Sequence, residues 1–177
     1  MLNLMSSNFA LGLRPSRSQD QPFIQQVFSS ARPDLQYIDG ETDLIESIIQ
    51  LQQEVLLRGA EQAHPGAMHF IIEQDGQPIG VTLVDFGEQA VHIIFLAMLP
   101  ALRGMGYGKQ VLQHLQQAAW QVRAPLTVVV WKSNVAARQL YLSLGFMVAE
   151  QSEMADKLVW HPQQDPAQPR QAAALPA

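Results

Sequence analysis

Arg103-Gly104-Met105-Gly106-Tyr107-Gly108-Lys109 follows an apolar run and opens a stretch with helical periodicity, a setting in which backbone amides bind phosphate. Glycines at alternate positions let N–H groups approach a ligand without interference from Cβ. The helix start adds donors with no intrahelical partner and the positive end of the helix dipole. Arg103 and Lys109 place full positive charges beside them. A second segment runs from Asn134 to Phe146, where Asn134, Ala137 and Tyr141 fall at offsets of three and seven and so share one helical stripe two turns long. An amide, a small residue and a phenol on one face suit an extended ligand passing alongside, with Ala137 leaving room for it and Leu140 and Leu144 as anchors.

Each signal has a plainer reading. The glycines can be a tight turn before a helix, Tyr141 a core aromatic, and Asn134 a helix cap, a role compatible with ligand contact. Two better-known phosphate loops do not fit: Gly108-Lys109 is followed by Gln110 where a Walker loop needs Ser or Thr, and GxGxxG counted from Gly104 meets Lys109 at its last position.

Elements able to position these residues can be read along the chain. Residues 9–14 read as a first strand and 18–31 as a helix capped by Ser18, with Pro22 in its first turn. Residues 42–58 repeat apolar side chains at helical spacing and Gly59 ends them. A β-meander follows over 68–74, 78–86 and 90–98, with turns at Asp75-Gly76 and Gly87-Glu88. The glycine loop then leads into a helix over 106–120, and the apolar, β-branched run 126–131 reads as a strand buried on both sides. Strand, loop, helix and strand make a βαβ crossover. A helix capped by Ser133 or Asn134 reaches Leu144 and stops at Gly145, and a hairpin over 146–151 and 157–160 closes the order.

At 177 residues the chain suits one α/β domain, expected over 1–161, with a disordered Pro/Ala/Gln tail over 162–177. Charged residues at 15% and hydrophobic ones at 47% describe a globular chain with no membrane-length apolar run and no secretory signal, so the expected location is the cytoplasm. There is no cysteine, which excludes disulfides, thiolate nucleophiles and cysteine-based zinc sites. Five scattered histidines give no metal-ligand spacing. The net charge of -5, without a basic patch, argues against a nucleic-acid partner.

With both segments in hand, the chain resembles the GNAT superfamily of acetyl-CoA-dependent N-acetyltransferases. Arg103, Gly106 and Gly108 match its Gln/Arg-x-x-Gly-x-Gly/Ala signature. Asn134, Ala137, Leu140, Tyr141, Gly145 and Phe146 match Asn-x-x-Ala-x-x-Leu-Tyr-x-x-x-Gly-Phe, and the order of elements agrees as well. The resemblance implies a mixed α/β (α+β) domain: a central, mostly antiparallel sheet whose parallel fourth and fifth strands splay, with helices on both faces. It implies acetyl-CoA as acyl donor, no metal, an amine acceptor and room for a homodimer. The pyrophosphate would rest on the backbone of Gly104, Met105, Gly106, Tyr107, Gly108 and Lys109, with Arg103 supporting the loop or the phosphates. The pantetheine arm would pair like an added strand near Ala97 and Met98, where the two strands part. Asn134 would hydrogen-bond that arm, Ala137 would make room for it, and the thioester would lie near Tyr141, which by position corresponds to the family's usual general acid.

The chemistry makes those groups useful. An amine must be neutral to attack a thioester, and the departing thiolate needs a proton, which a phenol with an ordinary pKa near 10 can donate at neutral pH. Many relatives carry a glutamate in the fourth strand as base, but residues 91–96 hold no carboxylate. His92 is their one titratable group, with Asp85 and Glu88 as runners-up nearby. The missing carboxylate keeps a non-catalytic acyl-CoA-binding module as the alternative, and a nucleotide-binding domain unrelated to coenzyme A is a third reading that the failed Walker pattern opposes. Acidic residues at Asp34, Asp39, Glu41 and Asp43 would attract a cationic acceptor or simply be solvated.

Overall fold

Asp75 and Gly76 adopt φ of 51° and 77°, the pair of left-handed conformations whose twist lets two strands leave a two-residue turn side by side. Strand β2 (Met68–Gln74) and strand β3 (Gln77–Phe86) pair antiparallel through this turn, and β1 (Leu11–Pro15) adds to the other edge of β2. The computed structural model describes residues 11–30, 51, 58–59 and 62–162. The helix expected over 42–58 lies outside them except for Leu51 and Arg58, as do the acidic positions 34–43 and the tail from 163. Gly59, expected to end that helix, is itself helical.

The described residues form two compact units. The first holds those up to Asp85 together with Ile94–Gln110. A 3-10 turn at Ser18–Asp20 leads into α1 (Gln21–Ser30). Ser18 is the first residue of that turn and not a cap; the turn's N-cap is Arg17, whose N–H donates to Asp20 Oδ2 at 2.7 Å. Arg14 in β1 donates to both Asp20 oxygens, at 2.8 and 3.0 Å, and to Glu73 at 2.6 Å. Arg14 and the Arg17 amide hold the Asp20 carboxyl down to about 2. Pro22 sits in the first turn, as its fixed φ favours. Ile24, Val27 and Phe28, spaced by three and four, form the buried face of α1. Ile24 and Val27 pack on Ile71 and Val81, each such side chain stabilising the fold by about 1.5–3 kcal/mol. Phe28 meets Phe95 with ring centroids 5.7 Å apart.

Phe95 belongs to β4 (Val91–Met98). Thr82 Oγ1 donates to Phe95 O at 2.8 Å and Leu99 N–H to Ile79 O at 2.8 Å. Between these bonds Gly80 brings two backbones unusually close: a Cβ there would lie 2.6 Å from Ala97 O and 2.7 Å from Met98 Sδ. That explains a glycine inside a strand.

The second unit holds Phe86–Ile93 and the described residues from Val111 onward. The start of β4 runs parallel to β5 (Leu126–Trp131), with Val91, His92 and Ile93 opposite Leu126, Thr127 and Val128; the pairing stops there, although both strands continue. Their connection is α2 (Tyr107–Gln121), which buries Val111, Leu112, Leu115, Gln116 and Ala119. Next come α3 (Val135–Ser143), β6 (Met147–Gln151) and β7 (Ala155–Trp160). β7 pairs antiparallel with β5 and with β6, whose ladder slips between Val148 and Glu150. The seven strands stand in the order β1-β2-β3-β4-β5-β7-β6.

β5 departs from expectation in one respect. Leu126, Thr127, Val128 and Val130 are buried, but Val129 is 63% and Trp131 59% exposed. Thr127, Val129 and Trp131 alternate onto one face, where Lys157 and Ala155 of β7 are the neighbours opposite Val129 and Trp131. An unbroken apolar run does not reveal which of its faces is covered.

Candidate active site

In the first unit the chain leaves β4 through a 3-10 turn, Pro100–Leu102, and enters the glycine loop. Gly104 and Gly106 have φ of 76° and 86°, a region that a side chain makes costly, whereas Gly108 is already helical. Gln110 N–H donates to Gly106 O at 3.2 Å, so the amides of Tyr107, Gly108 and Lys109 precede the first bond of α2. The arrangement is a run of donors next to the exposed side chains of Met105 and Lys109.

Arg103 is a strut for this loop. Its Nε donates to Met98 O at 3.3 Å and an Nη to Ser30 O, at the C-terminal end of α1, at 3.0 Å. A cation there meets the negative end of the helix dipole. Of the two strand-end residues singled out above, Met98 is buried and Ala97 half-buried.

Another pair in this unit is stronger in the fold than in the sequence. His64 Nδ1 lies 2.9 Å from Asp85 Oδ2, and a Cβ on Gly66 would come within 3.2 Å of Asp85 Oδ1, so the turn at residues 64–66 is seated on that carboxylate.

In the second unit, Asn134 caps α3: its Oδ1 accepts from Ala137 N–H at 3.3 Å. The far end explains the spacing of Tyr141, Gly145 and Phe146. Gly145 takes φ of 93°, its N–H donates to Leu142 O, and Phe146 N–H reaches back to Tyr141 O at 3.2 Å. This is a Schellman ending, with its usual apolar contact made by Tyr141 and Phe146, whose rings meet edge to face at 5.2 Å. Tyr141 is 7% exposed, and burial pushes its phenol above the ordinary value of 10, so it is protonated at neutral pH. Its hydroxyl bonds to no described residue, yet it is not a sealed polar atom: among the described residues Asp156 Oδ1 alone is sealed without a hydrogen-bond partner.

His92 is half-buried on β4, and its Nδ1 hydrogen-bonds Thr127 Oγ1 across the parallel pair. That contact fixes the ring and directs Nε2 away from it. Asp156, which no sequence motif marks, is a buried carboxylate on β7 that pairs with Arg138 of α3. Among the described residues no three His, Asp or Glu side chains converge as a metal site, and no helix is long and apolar enough to cross a membrane.

Comparison with known proteins supplies independent findings. The acetyltransferase (GNAT) family profile matches residues 24–146. No curated protein sequence matches the chain. Among solved structures, an acetyltransferase from Thermus thermophilus is 20% identical with a TM-score of 0.63, the match covering 86% of this chain and 97% of that one. The PaiA N-acetyltransferase from Thermoplasma acidophilum, in complex with coenzyme A, is 16% identical with a TM-score of 0.66, covering 85% and 98%. The N-acetyltransferase PseH from Campylobacter jejuni, in complex with acetyl coenzyme A, is 18% identical with a TM-score of 0.55, covering 85% and 98%. At such identities the structural likeness speaks for the fold. The family match runs from α1 through the glycine loop to Phe146 and so takes in both motif segments: the chain belongs to the acetyltransferase (GNAT) family of acyltransferases.

Proposed function

We propose that this enzyme moves an acetyl group from acetyl-CoA to a primary amine by direct attack. Tyr141 gives a proton to the departing thiolate and His92 takes one from the amine. The observation that carries this reading is the start of α2: two left-handed glycines lead into three amides that precede the first helical bond, a cradle suited to a diphosphate. Arg103 braces the cradle and Lys109 adds charge to it. The strand end at Ala97 and Met98 offers main-chain partners to the pantetheine arm, and the motif residues Asn134 and Ala137 are the ones that the family resemblance assigns to the same arm. Two of the structural neighbours are complexes with coenzyme A or its acetyl form, which supports the choice of donor.

In the reaction the amine nitrogen bonds to the carbonyl carbon and the C–S bond breaks. The amine's proton passes to His92, and Tyr141 protonates the sulfur and is then reprotonated, so one proton moves from nitrogen to sulfur overall. A tyrosine that burial keeps protonated suits this duty.

The test is release of free coenzyme A thiol from acetyl-CoA over a panel of small amines, amino acids, an aminoglycoside, peptides and a lysine-bearing protein. The chain has no cysteine, so a thiol reagent reads product alone. Turnover with any acceptor supports the reading. Calorimetry showing no affinity for coenzyme A or acetyl-CoA would sink it.

A further inference from the structure

Helix α3 has nine residues, and Tyr141 is its one buried side chain. Apolar packing alone therefore does little to fix the angle or register of this helix. Two buried polar groups supply what is missing. At the first turn, Arg138 Nε donates to Asp156 Oδ2 at 2.9 Å, and Asp156 is 1% exposed on β7. At the other end, Gln116 of α2, 3% exposed, donates its Nε2–H to Leu144 O at 2.8 Å. The turn before α3 is fastened to the same hairpin, with Lys132 N–H donating to Met154 O at 2.9 Å and Lys132 Nζ lying 3.7 Å from Asp156 Oδ1.

A desolvated carboxylate with one oxygen lacking a hydrogen bond is a costly way to fill a strand position, since an apolar residue there is often neutral or stabilising. What the ion pair adds is direction, because a guanidinium and a carboxylate meet in a narrow range of geometries. Tyr141 stands three residues after Arg138 and three before Leu144, so the two ties bracket the phenol.

We infer that Asp156 and Gln116 are positioning residues for acyl transfer, holding the two ends of α3 through Arg138 and the Leu144 carbonyl and so setting where the Tyr141 hydroxyl stands. The inference rests on the proposed role of Tyr141 as proton donor.

Asp156→Asn keeps the shape and removes the charge, and Gln116→Met keeps the length and removes the donor. Each is expected to lower kcat about tenfold to a hundredfold, the scale of a misplacement near 1 Å, while coenzyme A affinity stays at the wild-type level. In ultraviolet titration, with Tyr141→Phe as the blank, the ionisation of Tyr141 moves to lower pH as its ring becomes wetter. Arg138→Lys keeps more kcat than Arg138→Ala. Glu150→Gln, which removes the exposed Glu150–Lys157 pair on the same hairpin, changes none of these readouts. Wild-type kcat and titration in both Asp156→Asn and Gln116→Met would overturn the inference, as would a loss that Glu150→Gln matches or that melting alone explains. If the wild type turns over no amine, the proposed function fails, and the tyrosine titration still decides the positioning.

Discussion

Replacing Tyr141 by Phe separates chemistry from packing unusually well. The ring is 7% exposed and meets Phe146 edge to face, and Phe keeps both the volume and that contact. The hydroxyl makes no bond to a described residue, so its removal leaves no buried partner stranded. The stability change should stay within about 0.5 kcal/mol. For a chain of this size that is a melting shift of about 2 °C or less. Truncation to Ala instead removes the ring and should cost about 3–5 kcal/mol. Loss of a general acid lowers the rate about 10²- to 10⁴-fold. That range corresponds to about 2.7–5.4 kcal/mol of barrier. The assay is steady-state release of coenzyme A thiol at saturating acetyl-CoA, with binding of coenzyme A followed by calorimetry and melting by circular dichroism. Tyr141→Phe should fold and bind like the wild type and turn over far more slowly. Because burial raises the phenol's pKa, the wild-type rate should not fall as pH passes through 10. A Tyr141→Phe enzyme whose kcat stays near the wild-type value would refute the assignment of the proton donor.

Three further outcomes are expected. Gly106→Ala forces a side chain into φ of 86° at the mouth of α2, where residue-level strain is about 1–3 kcal/mol, and should weaken coenzyme A binding more than it lowers the melting temperature; unchanged affinity would count against the cradle. His92→Gln should lose most activity near neutral pH and recover as the pH rises past the acceptor's own pKa, where no base is needed; an unaltered pH profile would remove His92 from the mechanism. Burial lowers the pKa of His69 in the folded state, so its contribution to stability is complete above the unfolded value near 6.5 and is lost as the pH falls below it; His69→Gln should flatten the fall in melting temperature between pH 7.5 and 5.5, above the window in which Asp20 titrates, and an undiminished slope would disprove the link.

What could be read in the sequence was local. Asp75-Gly76 announced its turn because few other dipeptides tolerate two left-handed residues. Tyr141, Gly145 and Phe146 were legible because a Schellman ending needs a glycine between two apolar residues that touch. The glycine loop could be placed at the start of a helix for the same kind of reason. What could not be read depends on partners distant in sequence. Ser18 does not cap the helix because the chain there is a 3-10 turn that Asp20 closes onto Arg17 N–H, and Arg14 of β1 holds Asp20 in place. Asp85 stood beside Glu88 as one of two acids near a turn until the fold set it against His64, and nothing in the sequence around Asp156 marks it, since the partner that buries it, Arg138, lies on a separate helix. Gly80 is explained only by the backbone that passes beside it. Val129 and Trp131 resemble core residues, and nothing in their own segment tells that one side of β5 is open.

The slipped ladder of β6 bears on how the sheet ends. This strand is outermost in the sheet and all five of its residues are exposed, so a regular free edge there would be a ready template on which foreign strands assemble end over end. The irregularity between Val148 and Glu150 breaks that template into pieces too short to copy, and the nearby charges of Glu150 and Lys157 discourage an apolar visitor. Restoring a regular ladder there by deleting one residue would exchange a self-limiting border for a surface prone to fibre growth.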